Sequence, residues 1–199
     1  MGRSLILASQ SEIRGQLLRN AGVEFEVKPA RVDEKAILQS LQAEGAPVRD
    51  IVDALAEAKA RKVSLKEPDA MVLGCDQIAV LDGDILQKPT DKEDAQRQLE
   101  RMSGAKHHLL SAAVIYENGE PQWRHVSRVG MYMHQLNATE IAAYVERNWS
   151  DIQHCVGCYM VEKAGIGLFS RIEGDYFAVL GMPLLEILNH LRLKGVTPL

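Results

Sequence analysis

A chain of 199 residues, 46% hydrophobic and 25% charged, has the material for one substantial domain with a core of its own. Its formal net charge is −4, with both signs mixed along the chain. That excludes the strongly basic face needed to wrap nucleic acid or lie on an acidic membrane, so neither partner is expected. No apolar run reaches transmembrane length, and Met1-Gly-Arg-Ser4 opens without the hydrophobic segment of a signal peptide, so the expected compartment is the cytoplasm.

In chain order, Leu5 to Ala8 reads as a short buried strand, and Ser9 and Ser11 then open an amphipathic helix. Hydroxyls, free backbone N–H groups and the positive end of a helix dipole aimed at one point suit an anion such as phosphate. Arg14 shares a stripe with Leu17, Leu18 and Ala21, which turns it inward at the mouth of the helix. Ser9 and Glu12 also have capping-box spacing, which a plain helix start would explain. Glu24 to Val27 is a short alternating strand, followed by Pro29 and an acidic turn at Asp33-Glu34. Gly45, Ala46 and Pro47 break the chain before a helix from about Val48 to Leu65.

Ala70 to Gly74 is a second buried strand that ends near Asp76. Ile78 to Leu81 and Ile85-Leu86 form a hairpin about a tight Asp82-Gly83 turn. Thr90-Asp-Lys-Glu93 is a capping box opening a helix that ends near Met102. Glu117-Asn-Gly-Glu120 marks a second hairpin, and Asn137 with Glu140 caps a helix through about Arg147. After a glycine-rich stretch, Pro183 starts a last helix with a Leu184/Leu188/Leu191 stripe and a Lys194-Gly195 stop. Alternating strands and helices give an α/β class, and the absence of repeats or linkers gives a single domain over residues 1–199.

Three cysteines, an odd number, argue against a disulfide framework. Cys155-Val-Gly-Cys158 beside His154, joined by Cys75, has the donor types of a zinc or redox site, but no second metal-spaced pair completes it. Buried free thiols are the expected reading. Lys59 falls in the middle of the apolar stripe Val52, Leu55, Ala56 and Val63, so it either snorkels to the edge or projects into a polar cleft. Asp76 lies where α/β enzymes place ligands, beyond a strand's carboxyl end. A two-residue Asp82-Gly83 turn sets Lys88 across from Gln77 and diagonal to Asp76, about 5–8 Å away, and a three-residue loop would set it on Asp76's own face. Glu34 completes a set of two carboxylates, two lysines and an arginine near serine hydroxyls, as phosphoanhydride hydrolysis requires, or is one more solvated acid in a turn. There is no Gly-Lys-Ser/Thr phosphate loop, and Gly165-Ile-Gly167 is only a fragment of a dinucleotide fingerprint.

Taken together these motifs resemble the Maf proteins. The resemblance runs through Leu7-Ala-Ser-Gln-Ser11 with Arg14, Leu17-Leu18 and Gly22, then Asp33-Glu34, Ala56-Glu-Ala-Lys59 and Gly74-Cys-Asp76. It continues through Lys88-Pro89, Ser103-Gly104, Gly157-Cys-Tyr159, Ile172-Glu-Gly174 and Val179-Leu-Gly-Met-Pro-Leu184, covering nearly the whole chain. It implies a Maf/ITPase-like fold, with an elongated mixed sheet flanked by helices and two lobes about a central cleft. It also implies a homodimer that hydrolyses a nucleoside triphosphate to monophosphate and pyrophosphate, clearing non-standard nucleotides with a divalent cation, Mg²⁺ or Mn²⁺. Asp76 is the implied base that activates water and shares the metal with Glu34. Ser9, Ser11, Arg14, Lys59 and Lys88 are the implied phosphate contacts.

Gln77 after Asp76, and Glu162 late in the chain, resemble the branch acting on N7-methyl-GTP more than the one acting on dTTP and UTP. An acid near the base can accept from guanine N1 and N2 and favours a cationic methylated ring. The sequence also departs from the pattern. The Pro-Arg-Arg of the family is Glu12-Ile13-Arg14 here, with Gly15 next, so a proline and an arginine are missing and Ile13 replaces an expected aromatic residue. The missing arginine leaves open a second class of function, a nucleotide-binding regulator of septum formation and cell division with vestigial catalysis.

Overall fold

The computed structural model describes residues 4–196. Seven strands form one mixed sheet in the order β2-β1-β3-β5-β6-β7, with β4 pairing β3 off this path. β1 (Leu5–Leu7) runs parallel to β2 (Glu26–Val27) and to β3 (Met71–Leu81), with Leu5 opposite Met71 and Leu7 opposite Leu73. β4 (Asp84–Leu86) is antiparallel to β3, and β7 (Phe169–Glu173) is antiparallel to β6 (Glu120–Met133). β5 (Lys106–Glu117) and β6 are joined at Asn118-Gly119. Both residues of that turn have positive φ, as do Asp82 and Gly83, the conformation two-residue hairpins require. The α/β class and both hairpins stand as read from the sequence.

The described residues divide into two compact units. One comprises 4–77, 111–127 and 180–196, the other 78–110 and 128–179. In the first, β1 and the start of β3 are buried on both faces, which is why they read as continuous apolar runs rather than alternating ones. α1 (Glu12–Asn20) packs Leu17 and Leu18 inward, and α3 (Val48–Ser64) buries Ile51, Val52, Leu55, Ala56, Ala60 and Val63. β3 and α3 pack closely at Gly74. A methyl group there would lie 2.3 Å from the Ala56 carbonyl oxygen and 2.7 Å from the Ala60 nitrogen. After the short α6 (Tyr176–Val179), α7 (Leu184–Leu193) buries Leu184, Ile187 and Leu191, so its inner stripe passes through Ile187, and Leu188 is only partly covered.

The second unit has its own core, where Leu99 and Met102 of α4 (Lys92–Met102) meet Ile141, Val145 and Ile152 of α5 (Ala138–Ile152), with Met131 from β6. Asn137 and Glu140 form the expected capping box, but α5 runs a turn beyond Arg147. At the start of α4 the cap is Asp91, not Thr90. Asp91 Oδ1 accepts from the Asp94 N–H at 2.7 Å, because a carboxylate accepts more strongly there than a hydroxyl.

Three further expectations are corrected. Asp33-Glu34 is not a turn: Asp33 caps α2 (Glu34–Ala43), accepting from the Ala36 N–H at 2.9 Å. The two strands read on either side of Asp76 are one continuous β3, which places Asp76 mid-strand rather than at an end. The β3–β4 ladder closes at Ala79–Leu86, so Lys88 lies past the paired residues.

Candidate active site

The helix mouth forms as its sequence dictates, with one change of partners. Ser11, not Ser9, is the N-cap of α1, and its side chain makes no cap bond. The first helical hydrogen bond runs from the Gly15 N–H to the Ser11 carbonyl, which leaves the preceding N–H groups without an intrahelical acceptor. Ser9 is buried, and its Oγ accepts from the Ser11 N–H at 3.2 Å and from Arg14 Nη1 at 3.3 Å. The supposed capping box of Ser9 with Glu12 is therefore absent; Glu12 is exposed.

Arg14 is buried as its place in the stripe requires, and its guanidinium ties three segments together. Nη1 donates to the Cys75 carbonyl at 2.9 Å as well as to Ser9, and Nε donates to the Gly181 carbonyl at 2.8 Å. Gly181 has a φ of 88°, and a β-carbon there would lie 3.2 Å from Arg14 Nη2, a fit that favours glycine. One turn along, the Arg19 guanidinium covers the bare Gly15, with Nη1 3.2 Å from the place of a β-carbon. Long helical side chains lean toward the N-terminus, so a residue four positions later reaches back over that glycine.

Lys59 neither snorkels nor wastes its charge. Its side chain is 9% exposed, and Nζ lies 2.9 Å from Glu34 Oε1 and 3.2 Å from Asp76 Oδ1. Helices α2 and α3 and strand β3 thus each supply one member of an ion-paired trio. Asp76 Oδ1 accepts a second bond, at 2.9 Å, from the Gln77 N–H. A carboxylate held by an ammonium and a backbone amide is fixed in orientation. The Gln77 side chain donates through Nε2 to the Oγ of fully buried Ser111 at 3.0 Å. Burial pushes the Cys75 thiol up to about 11 even though Arg14 and Lys59 pull the other way, so it stays protonated at neutral pH.

Ser9, Ser11, Ile13, Arg14, Glu34, Lys59, Asp76 and Gln77 all belong to the first unit, with Ile13 partly exposed on α1. Lys88 and Glu162 belong to the second, and both are exposed. There they act with opposite sign on Cys155, whose thiol is raised first by burial and then by Glu162, with Lys88 opposing. All three cysteines are free thiols. Among the described residues no three of His, Cys, Asp and Glu converge as a metal-binding group, so the zinc alternative gains no support.

Sequence reasoning missed Ser111. A serine within the apolar run Leu109 to Ile115 was the available signal, because a buried hydroxyl needs a partner.

Comparison with known proteins identifies the family. The model of the Maf-like protein family matches residues 4–193. The chain is 57% identical to a nucleoside triphosphate pyrophosphatase of Ruegeria pomeroyi, over 96% of each chain. It is 54% identical, over 98% of each, to a protein of the same name from another Ruegeria strain. It is also 47% identical to a 7-methyl-GTP pyrophosphatase of Brucella abortus, over 94% of each. Identity at this level over nearly the whole length, on a fold and polar cluster that carry the motifs in order, makes the chain a member of the Maf-like protein family.

Proposed function

We propose that this protein is a nucleoside triphosphate pyrophosphatase, a hydrolase that cleaves the α–β phosphoanhydride to give a monophosphate and pyrophosphate and so removes non-standard nucleotides. The observation that carries the reading is the trio of Asp76, Lys59 and Glu34, set one residue from the carbonyl that Arg14 grips. The names of the relatives support it.

In this reading Asp76 takes a proton from water as the water oxygen bonds to the α-phosphorus and the bond to the bridging oxygen breaks. Pyrophosphate leaves with the electron pair. Asp76 Oδ1 is already engaged by Lys59 and Gln77, so the base is oriented before substrate arrives. Ser9, Ser11 and the open N–H groups of α1 face the negative phosphates, Lys59 balances their charge, and Lys88 is assigned the same role.

The donor set also fits a divalent cation. Two carboxylates, Asp76 and Glu34, already share one cationic partner, and hard oxygen donors of this kind suit Mg²⁺ or Mn²⁺ with triphosphate oxygens completing the shell. Such an ion would neutralise charge building up on the phosphoryl oxygens.

The favoured substrate is an N7-methyl-GTP-like purine nucleotide, with recognition of the base assigned to Gln77, Glu162 and Ile13. Support comes from the Brucella relative and from the fixed Gln77 amide. A homodimer in the cytoplasm completes the proposal; among the described residues no helix is long and apolar enough to cross a membrane. Hydrolysis in heavy-oxygen water tests the bond broken. Label in the monophosphate supports attack at the α-phosphorus, and label only in pyrophosphate or free phosphate contradicts it.

A further inference from the structure

The two carboxylates assigned to a divalent ion are not bare. One ammonium lies within 3.2 Å of an oxygen from each, and it belongs to a side chain whose stem is enclosed in the apolar stripe of α3. A divalent cation brought to the same oxygens would meet that ammonium at a few ångströms, where like charges repel, most strongly on the enclosed Asp76 side and less at Glu34, whose side chain is 47% exposed. With Lys59 in place the trio carries a single net negative charge, a poor attractant for a free metal ion.

We propose that Lys59 is the site's built-in counter-ion. It keeps free divalent cations off Asp76 and Glu34, and gives up the carboxylates only when a triphosphate offers its own oxygens to the ammonium. This inference rests on the metal-dependent pyrophosphatase reading above. Lysine suits the exchange because its ammonium is a compact point charge with three rotatable donors, so it can change acceptors by turning its last bonds. Asp76 does not lose its orientation when the ammonium leaves, because the Gln77 N–H holds the same oxygen. The consequence is ordered loading, with metal and triphosphate arriving together and the empty protein left with a satisfied, metal-poor site.

The test is direct Mn²⁺ binding, read from the loss of the free-ion paramagnetic resonance signal, without turnover. Nucleotide-free wild type should bind Mn²⁺ weakly. Lys59→Met and Lys59→Gln, also nucleotide-free, should bind it tighter by roughly tenfold or more, since each removes the positive charge that the two carboxylates share. The glutamine variant keeps a polar partner for Asp76 and guards against misfolding of the first. Wild type with the α,β-methylene analogue of GTP should take up Mn²⁺ at least about tenfold more tightly than the analogue does alone. Nucleotide-free wild type binding Mn²⁺ as tightly as the variants, or as tightly as with the analogue, overturns the counter-ion role and leaves the metal-dependent reading intact. No Mn²⁺ binding by wild type even with the analogue overturns that reading as well.

Discussion

Arg14 Nη1 donates to the Cys75 carbonyl at 2.9 Å, so the residue before Asp76 is tied directly to the mouth of the first helix. The same guanidinium holds the Gly181 carbonyl, which makes Arg14 a brace for the site whatever it also offers a phosphate. Arg14→Ala removes donors from buried carbonyl groups and should cost about 2–4 kcal/mol of stability by denaturant titration. Arg14→Lys keeps the charge but not the fork, and should lower kcat more than it raises KM. Wild-type stability and kcat in the lysine variant would contradict the brace.

Gly74 sets the distance between the strand carrying Asp76 and the helix carrying Lys59. In Gly74→Ala the added methyl meets backbone at 2.3 and 2.7 Å, so strand and helix must part. The variant should lose about 1–3 kcal/mol or more, and most of its turnover, because base and ammonium move together. Unchanged thermal unfolding and activity would show that this contact does not set their spacing.

His107 gives the stability a pH dependence. It is fully buried, its Nε2 lies 2.7 Å from the Tyr159 hydroxyl, and its ring packs on Tyr159 and Phe169. Burial, then the neighbouring His108, lowers its pKa from 6.5 to about 4. Between those values the unfolded chain binds the proton that the folded chain refuses. Stability therefore rises with pH across this window and is lost as pH falls from 6.5 toward 4, by up to about 3 kcal/mol. His107→Gln, which cannot titrate, should flatten that slope in denaturant titrations between pH 4.5 and 7; an equal slope in both proteins would rule His107 out as its source.

The elements that fill whole periods were legible in the sequence: the α3 stripe, the two Asx-Gly hairpins and the Asn137 cap. α2 was not, because Asp33-Glu34 looks the same as a turn and as the start of a helix until Leu38 and its neighbours find something to pack on. The continuity of β3 was hidden by Gly74 and Asp76, which read as a strand end. In the structure the glycine serves close packing, and the aspartate is held by Lys59. Lys59 itself could be flagged as misplaced in an apolar stripe, but its partners lie on other elements that only the fold brings together.

The most direct test of the account is pyrophosphate release by the purified protein with Mg²⁺ or Mn²⁺, across ordinary and modified nucleoside triphosphates, with Asp76→Asn beside it. Turnover should be highest on N7-methyl-GTP and at least about 100-fold lower in the asparagine variant, with nucleotide binding retained. Full turnover in Asp76→Asn, or nucleotide binding with no pyrophosphate released by wild type, would contradict it.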